Sequence, residues 1–209
     1  MPTQRDLDAA RVYTSIMEEA KFRALSINTL TGSQITLPMS LLREFCFLEL
    51  RMLCELIALG CLVAHGDIEE TKSHALHKNY HAGDIVKGLE KLHTNFYPVP
   101  RKPIFNPGHI HLEDYDHEYL TKEELLMLYG KSGDVLHRGS LQRLLNPKHQ
   151  PPPDFQDIQH WGQKILNLLS FHTISRVGGN FHFVTALEAP QVGGNVLVSL
   201  AELPAGQTG

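Results

Sequence analysis

The chain has 209 residues, a formal net charge of -4 and a pI near 6.3, which excludes a protein that coats nucleic acid through bulk positive charge. Apolar residues make up 42% of the chain, and a chain of this length and composition buries a substantial core. We expect a single domain over residues 1–209. A cytoplasmic location is also expected, because the N-terminal MPTQRDLDAARVY contains no apolar signal region.

The three cysteines, Cys46, Cys54 and Cys61, all lie in one strongly apolar segment. They are eight and seven residues apart, so on a single helix none can approach another to disulfide distance. They are typical of small core residues in a reduced intracellular protein.

Two helices are predicted first in chain order, Asp6–Asn28 and Pro38–Gly66. The second is the longest apolar segment of the chain and should lie at the centre of a helical bundle. Its charged residues Glu44, Arg51 and Glu55 are seven and four apart, so they share one stripe of the helix. Because Arg51 and Glu55 are separated by one turn, they should pair with each other or with a neighbouring helix.

This central helix is apolar enough to raise the question of a membrane span. The window Phe45–Ala64 contains Glu49, Arg51 and Glu55, and each charge costs about 2.5–3.5 kcal/mol at the middle of a bilayer. We therefore interpret it as a buried helix of a protein with no membrane partner. On this helix and on a later helix predicted over residues 155–170, the residues expected to lie in the protein core are Leu48, Leu53, Leu56, Ile57, Leu59, Trp161 and Leu168.

A third helix is predicted over residues 83–96. The next segment, residues 97–108, has four prolines and is predicted to be an extended surface loop. After the acidic, histidine-rich segment 109–119, Thr121 and Glu124 form a capping-box pattern that begins a fourth helix.

Asp154 is predicted to cap a fifth helix, residues 155–170. Beyond it the apolar period changes from 3.6 to 2, which predicts antiparallel strands at residues 181–185 and 196–200 and allows a third at 173–177. The predicted fold is mainly α, a bundle of about five helices over residues 1–170 with a small C-terminal antiparallel β-hairpin over residues 171–203.

The segment YGKSGDVLHRG at residues 129–139 ends the fourth helix and is the strongest candidate for a site. Cations at a helix C-terminus are favoured by the helix dipole, which explains them without any function. The functional alternative is a small basic pocket with His137 as an acid–base group, suited to a phosphate or an RNA backbone.

The same segment, together with the order of the helices, resembles the HEPN-domain family. The resemblance implies a helical bundle that forms homodimers, and metal-independent endoribonuclease activity in many members, such as those of toxin–antitoxin systems. The family motif is an arginine, four to six residues, and then a histidine. His137 matches the histidine, whereas Lys131 stands at the arginine position and cannot make the same bidentate phosphate contacts.

Carried over to this chain, the resemblance makes His137 and Lys131 the catalytic candidates. Arg138 and Arg143 are the candidates for binding substrate phosphate. Arg51, Glu55 and Asp134 are the candidates for polar partners that support the site. The resemblance implies a bacterial, RNA-associated or defence-type module with no cofactor. Because the motif arginine is missing, we expect this module to have little or no catalytic activity. The alternatives are an active endoribonuclease using His137 and a non-enzymatic module that binds a partner protein.

A metal-binding protein is a further alternative. His109, His111 and His117, with nearby carboxylates, are ligand types that suit zinc, iron or nickel. His74, His77 and His81 have helical spacing and could also share a face. Both groups lie in polar segments, where solvated histidines are common, so the interpretation without a metal is favoured.

Overall fold

The computed structural model describes residues 2–32, 35–66, 81–107, 109–137, 154–176 and 181–202. The mainly α fold is confirmed, because five α-helices account for most of the described residues. The helices are α1 (Gln4–Gly32), α2 (Met39–Ala64), α3 (Ala82–Leu92), α4 (Lys122–Leu136) and α5 (Gln156–Leu169). The strands are β1 (Val99–Asn106), β2 (His109–Asp114), β3 (Phe171–Ile174), β4 (Phe181–Ala186) and β5 (Leu197–Glu202).

Helix α2 is the centre of the bundle and contacts each of the other four α-helices. Its apolar surface is wide enough to be covered on several sides. The core prediction is confirmed for Leu53, Leu56, Ile57, Trp161 and Leu168, all of which are buried. Leu59 is only partly buried. Leu48 was predicted wrongly, since it lies on the outer side of α2 and is 40% exposed. Among the described residues, no helix is long and apolar enough to cross a membrane.

Helices α1 and α2 approach closely where α2 has a glycine. A Cβ atom on Gly60 would lie 3.0 Å from Cε2 of Tyr13 and 3.3 Å from Cε of Met17. Tyr13 and Met17 are fully buried on the inner face of α1, so a larger residue at position 60 would require both side chains to shift. At the other end of the contact, Arg23 of α1 is held 2.9 Å from the carboxylate of Glu49 on α2.

The prediction of a small C-terminal hairpin is wrong. The protein has a five-stranded antiparallel sheet in the order β2-β1-β3-β4-β5. The predicted strands near residues 181–185 and 196–200 are present as β4 and β5, and β3 supplies the third. The two additional strands come from the segment predicted as a proline-rich loop and from the histidine-rich segment after it. The sheet therefore joins strands from both sides of residue 170.

The pairing of β1 explains how a strand accommodates its prolines. Residues 101–106 pair with β2, whereas only Val99 and Pro100 pair with β3. Along its length β1 is therefore paired on one side at a time, and a proline can turn its missing N–H toward the unpaired side. The signal for β2 was the alternation of Ile110 and Leu112 with polar neighbours.

A buried hydrogen bond joins α1 to the sheet. The hydroxyl of Tyr13 lies 2.7 Å from Nε2 of His172 on β3, and Nδ1 of His172 lies 3.0 Å from the carbonyl oxygen of Leu169. A neutral imidazole satisfies both contacts if Nδ1–H donates to Leu169 and Nε2 accepts from Tyr13. Burial lowers the pKa of His172 to about 4, so the ring is neutral at physiological pH.

We expect stability to fall as the pH drops from 7 to 5, because unfolded His172 takes up a proton near its ordinary pKa while folded His172 does not. The shift predicts a loss of about 2 kcal/mol over this interval. Urea unfolding of the wild type and of His172→Gln at several pH values measures it. The variant should show a flatter dependence, whereas the exposed His117→Gln should keep the wild-type slope. Equal slopes for wild type and His172→Gln would contradict the assignment.

Candidate functional site

Helix α4 carries the candidate site and begins with the predicted capping box. The Thr121 hydroxyl accepts from the Glu124 backbone N–H at 3.2 Å, and the Glu124 carboxylate accepts from the Thr121 backbone N–H at 3.1 Å. The helix continues through Gly130 and Gly133 to Leu136. His137 is the C-cap residue, and its backbone N–H donates to the carbonyl of Gly133 at 3.0 Å.

An open cleft of about 410 Å³ lies where α2, α3 and α4 meet. Each helix contributes charged or hydrogen-bonding side chains to the cleft. His137 lines it at the C-terminal end of α4. The lining residues are Arg51, His81, Gly83, Asp84, Lys87, Leu126, Tyr129, Gly130, Gly133, Asp134 and His137.

Arg51 lines this cleft and is held in place by contacts with both α2 and α4. It forms the predicted ion pair with Glu55 at 3.4 Å, and its Nη2 donates to the hydroxyl of Tyr129 at 2.7 Å. The guanidinium also lies over the Tyr129 ring, 4.2 Å from its centroid. A Cβ atom on Gly133 would lie 3.1 Å from Nη1 of Arg51, so the glycine gives the arginine room against α4.

The Tyr129 hydroxyl stays protonated in this network. Burial raises the pKa of Tyr129, Glu55 adds to the increase, and the positive charge of Arg51 opposes it. A neutral hydroxyl accepts a hydrogen bond from Arg51 and can donate its own proton to Glu55. Arg51, Glu55 and Tyr129 are therefore a connected polar network between α2 and α4.

Lys131 lies on a different side of α4 from His137. Its Nζ is 3.5 Å from the Asp157 carboxylate of α5 and 5.6 Å from the centroid of the Phe47 ring. Asp157 also accepts from buried Arg43 at 2.9 Å. Six residues of helix rotate a side chain by roughly 600°, which leaves Lys131 and His137 about 120° apart. The structure thus brings His137 together with Arg51 and Asp134 in the cleft and places Lys131 outside the cleft lining.

The Asp157 carboxylate holds this second cluster of charges together. Burial alone would raise the pKa of Asp157, but the hydrogen bond from Arg43 and the positive charges of Arg43 and Lys131 outweigh it and lower the pKa. Asp157 is therefore ionised at physiological pH, and it keeps Lys131 beside α5.

Arg138 and Arg143, predicted to bind substrate phosphate, lie outside the described residues, as do His74 and His77. His81 is described and lines the cleft, with its ring 5.5 Å from the ring of Tyr129.

The histidines of the metal alternative are spread along the surface. His109 and His111 are exposed on β2, and His117 lies beyond the strand, 3.5 Å from Asp116. Within the part of the chain that the structure describes, no group of three or more His, Cys, Asp or Glu side chains is arranged to hold a metal ion.

The contribution of α3 to the cleft was not predicted from the sequence. Asp84 and Lys87 are exposed on this helix, and they reach the cleft because α3 packs beside α2 and α4. The only signal available was amphipathicity. Buried Ile85, Val86 and Leu89 mark the inner face of the helix and leave the charged residues on the opposite face.

Comparisons of the chain with protein-family models, with curated proteins and with solved structures find no match.

A double-mutant cycle tests the polar network. Arg51→Ala and Glu55→Ala should each destabilise the protein, because each leaves a partly buried charge without its partner. The double variant should cost less than the sum of the two, with a coupling energy of about 1–3 kcal/mol in urea unfolding.

The matched control is the pair Asp8 and Arg11, which is mostly exposed at a separation of 3.1 Å. Its coupling energy should be close to zero. Additive costs for Arg51 and Glu55 would show that the two side chains are not energetically coupled.

Proposed function

We propose that the protein is a HEPN-like, RNA-associated module that binds phosphate in the α2–α3–α4 cleft as a homodimer and has little or no nuclease activity. The observation that carries the proposal is the convergence of Arg51, Lys87 and His137, from three helices, on one opening. Arginine and lysine are the common ligands of nucleic-acid phosphates, and histidine can take up or release a proton near neutral pH.

The cleft also contains Asp84 and Asp134. These carboxylates equal the two cations Arg51 and Lys87 in number, so we expect binding that is weak and is detected only at low salt. Arg51 shares its charge with Glu55 and Tyr129, which leaves Lys87 as the cation most available to a phosphate.

The expectation of little catalysis is supported by the position of Lys131. Acid–base cleavage of RNA needs a base near the 2′-hydroxyl and a cation near the phosphate at the same site. Lys131 is held beside Asp157 at 3.5 Å and does not line the cleft that contains His137. The motif pair is therefore divided between two sides of α4.

A protein-interaction module is the second candidate function. Leu41, Phe45 and Leu48 are exposed on one face of α2, and Met52 continues their four-three spacing. This is the spacing of a coiled-coil seam, and its occupant would be α2 of a second copy. Failure of the protein to bind RNA, together with dimerisation that Leu48→Lys abolishes, would favour this function.

RNA binding is tested by the fluorescence anisotropy of a labelled ten-nucleotide single-stranded RNA at low salt. The wild type should bind, and Lys87→Glu should weaken binding about tenfold, equivalent to about 1.4 kcal/mol. The reason is that reversing this charge places a third carboxylate in the cleft beside Asp84 and Asp134.

Lys91→Glu is the matched control. It makes the same change of charge on the same helix, at an exposed residue that does not line the cleft, and should keep wild-type affinity. An equal loss in both variants would show attraction by overall charge rather than binding in the cleft. No binding by the wild type would contradict the proposal.

Cleavage is tested by incubating the purified protein with RNA in EDTA and separating the products on a gel. We expect little or no cleavage, because Lys131 and His137 do not share a site. Robust cleavage in EDTA that is lost in His137→Ala would overturn this and establish an endoribonuclease. Cleavage that EDTA abolishes and that depends on His109, His111 or His117 would instead favour the metal alternative.

A further inference from the structure

Strand β2 forms one edge of the sheet, and its outer side pairs with no strand among the described residues. Every residue from His109 to Asp114 is exposed except Leu112, which is partly buried. An edge strand of this kind presents a row of backbone N–H and C=O groups that can pair with another strand. β2 contains neither proline nor lysine, two of the residues that commonly block such pairing.

The register with β1 shows which backbone groups point outward. Leu112 lies opposite Pro103, and a proline cannot donate a ladder hydrogen bond. In an antiparallel pair, residues alternate between hydrogen-bonded and non-hydrogen-bonded positions. Leu112 thus occupies a non-hydrogen-bonded pair with β1, and the backbone groups of Ile110, Leu112 and Asp114 face away from β1.

We propose that β2 pairs in antiparallel fashion with β2 of a second copy of this chain, in a register centred on His111. In this two-fold arrangement, His109 lies opposite Glu113 of the second copy, and Ile110 lies opposite its Leu112. The outward backbone groups of Ile110 and Leu112 then form the hydrogen-bonded pairs, as the register with β1 requires. The two histidines at position 111 face each other at the axis.

Side-chain chemistry favours the second copy as the occupant. Each end of the paired strands places the His109 imidazole, a hydrogen-bond donor, opposite the carboxylate of Glu113, which also contacts its own Lys102 at 3.5 Å. On either side of the His111 pair, Ile110 lies opposite Leu112, so the strand is complementary to itself in hydrogen bonding and in hydrophobicity. A strand of unrelated sequence would not in general match both patterns.

The same register also extends an apolar row that is exposed in the single chain. Phe105 and Ile110 are cross-strand partners on one face, with 62% and 51% of their surfaces exposed. Pairing through β2 extends that face to Leu112 and Pro103 of the second copy. Four apolar residues then lie in a row across the junction, and the two-fold axis repeats the row.

The interface is small, because a six-residue strand is only about 20 Å long. Interfaces of this size are usually weak and transient, so the dimer should form in a concentration-dependent manner. The pairing of β2 involves the edge of the sheet alone and is independent of the cleft and of RNA binding.

Sedimentation velocity over a range of protein concentrations tests the pairing. The wild type should shift from monomer to dimer as concentration rises. Leu112→Pro removes one outward N–H, and Ile110→Lys places a charge in the apolar row, so both variants should remain monomeric at concentrations where the wild type is dimeric. Thermal unfolding of each variant verifies that the fold is retained.

Phe22→Lys is the control, since Phe22 is 65% exposed on α1, and this variant should dimerise like the wild type. A wild type that stays monomeric throughout would overturn the proposal. So would a dimer that withstands both β2 substitutions and is lost in Leu48→Lys.

Disulfide trapping tests the register independently. The native cysteines are all buried, so they do not interfere with crosslinking at the surface. On mild oxidation His111→Cys should give a covalent dimer, because paired strands bring opposite Cα atoms within disulfide distance. Met127→Cys, an exposed position on α4, should not. A covalent dimer from Leu112→Cys and none from His111→Cys would overturn the register centred on His111.

Discussion

The structure depends on the burial of α2, a helix whose apolar surface is too wide for one neighbour to cover. The other four α-helices each contact it, and its charged residues must find partners among them. Arg51 does so by pairing with Glu55 and donating to Tyr129, while Gly133 leaves space for the guanidinium. Partly buried charges are costly without partners, so this requirement fixes the position of α4 relative to α2. The cleft at the junction with α3 follows from that position.

Helix periodicity determines how the charges of α4 are divided. Residues 130, 133, 134 and 137 face the cleft, whereas Lys131 lies beside Asp157 and the buried Arg43. One short segment therefore contributes to two sites with different surroundings. In the cleft, cations and carboxylates are mixed. On the side facing α5, the ionised carboxylate of Asp157 pairs with Arg43 and Lys131, and both cations also lie near the ring of Phe47. This arrangement stabilises the contact between α4 and α5.

The features predicted correctly from the sequence are those that depend on interactions between residues close together in the chain. They include the capping box of Thr121 and Glu124, the ion pair of Arg51 and Glu55, and the extent of α2. Each of these depends on residues that lie within one or two helical turns of the capping residue, the ion pair or the helix end. The hairpin of β1 and β2 was not predicted because its prolines are typical of loops, and only the pairing partners show that their missing N–H groups are tolerated. The contribution of Lys87 to the cleft was equally inaccessible, since it depends on how α3 packs against two other helices. The exposure of Leu48 shows the same limit, because the apolar pattern does not reveal which side of a central helix is left uncovered.

The contacts of α1 span almost the whole chain. Tyr13 meets His172, Asp6 binds Arg176 at 2.7 Å, and the Glu18 carboxylate accepts from the Val196 backbone N–H. A ribosome makes α1 before the sheet that covers its inner face, and that sheet is not complete until residues near 200 have been added. During synthesis Tyr13 and Met17 therefore lack part of their final packing surface, and the chain passes through a stage in which apolar side chains of α1 are open to other molecules. Native contacts of such large sequence separation also slow folding. Helix α1 contacts α2, its neighbour in the chain, but its packing is completed only when the sheet has formed.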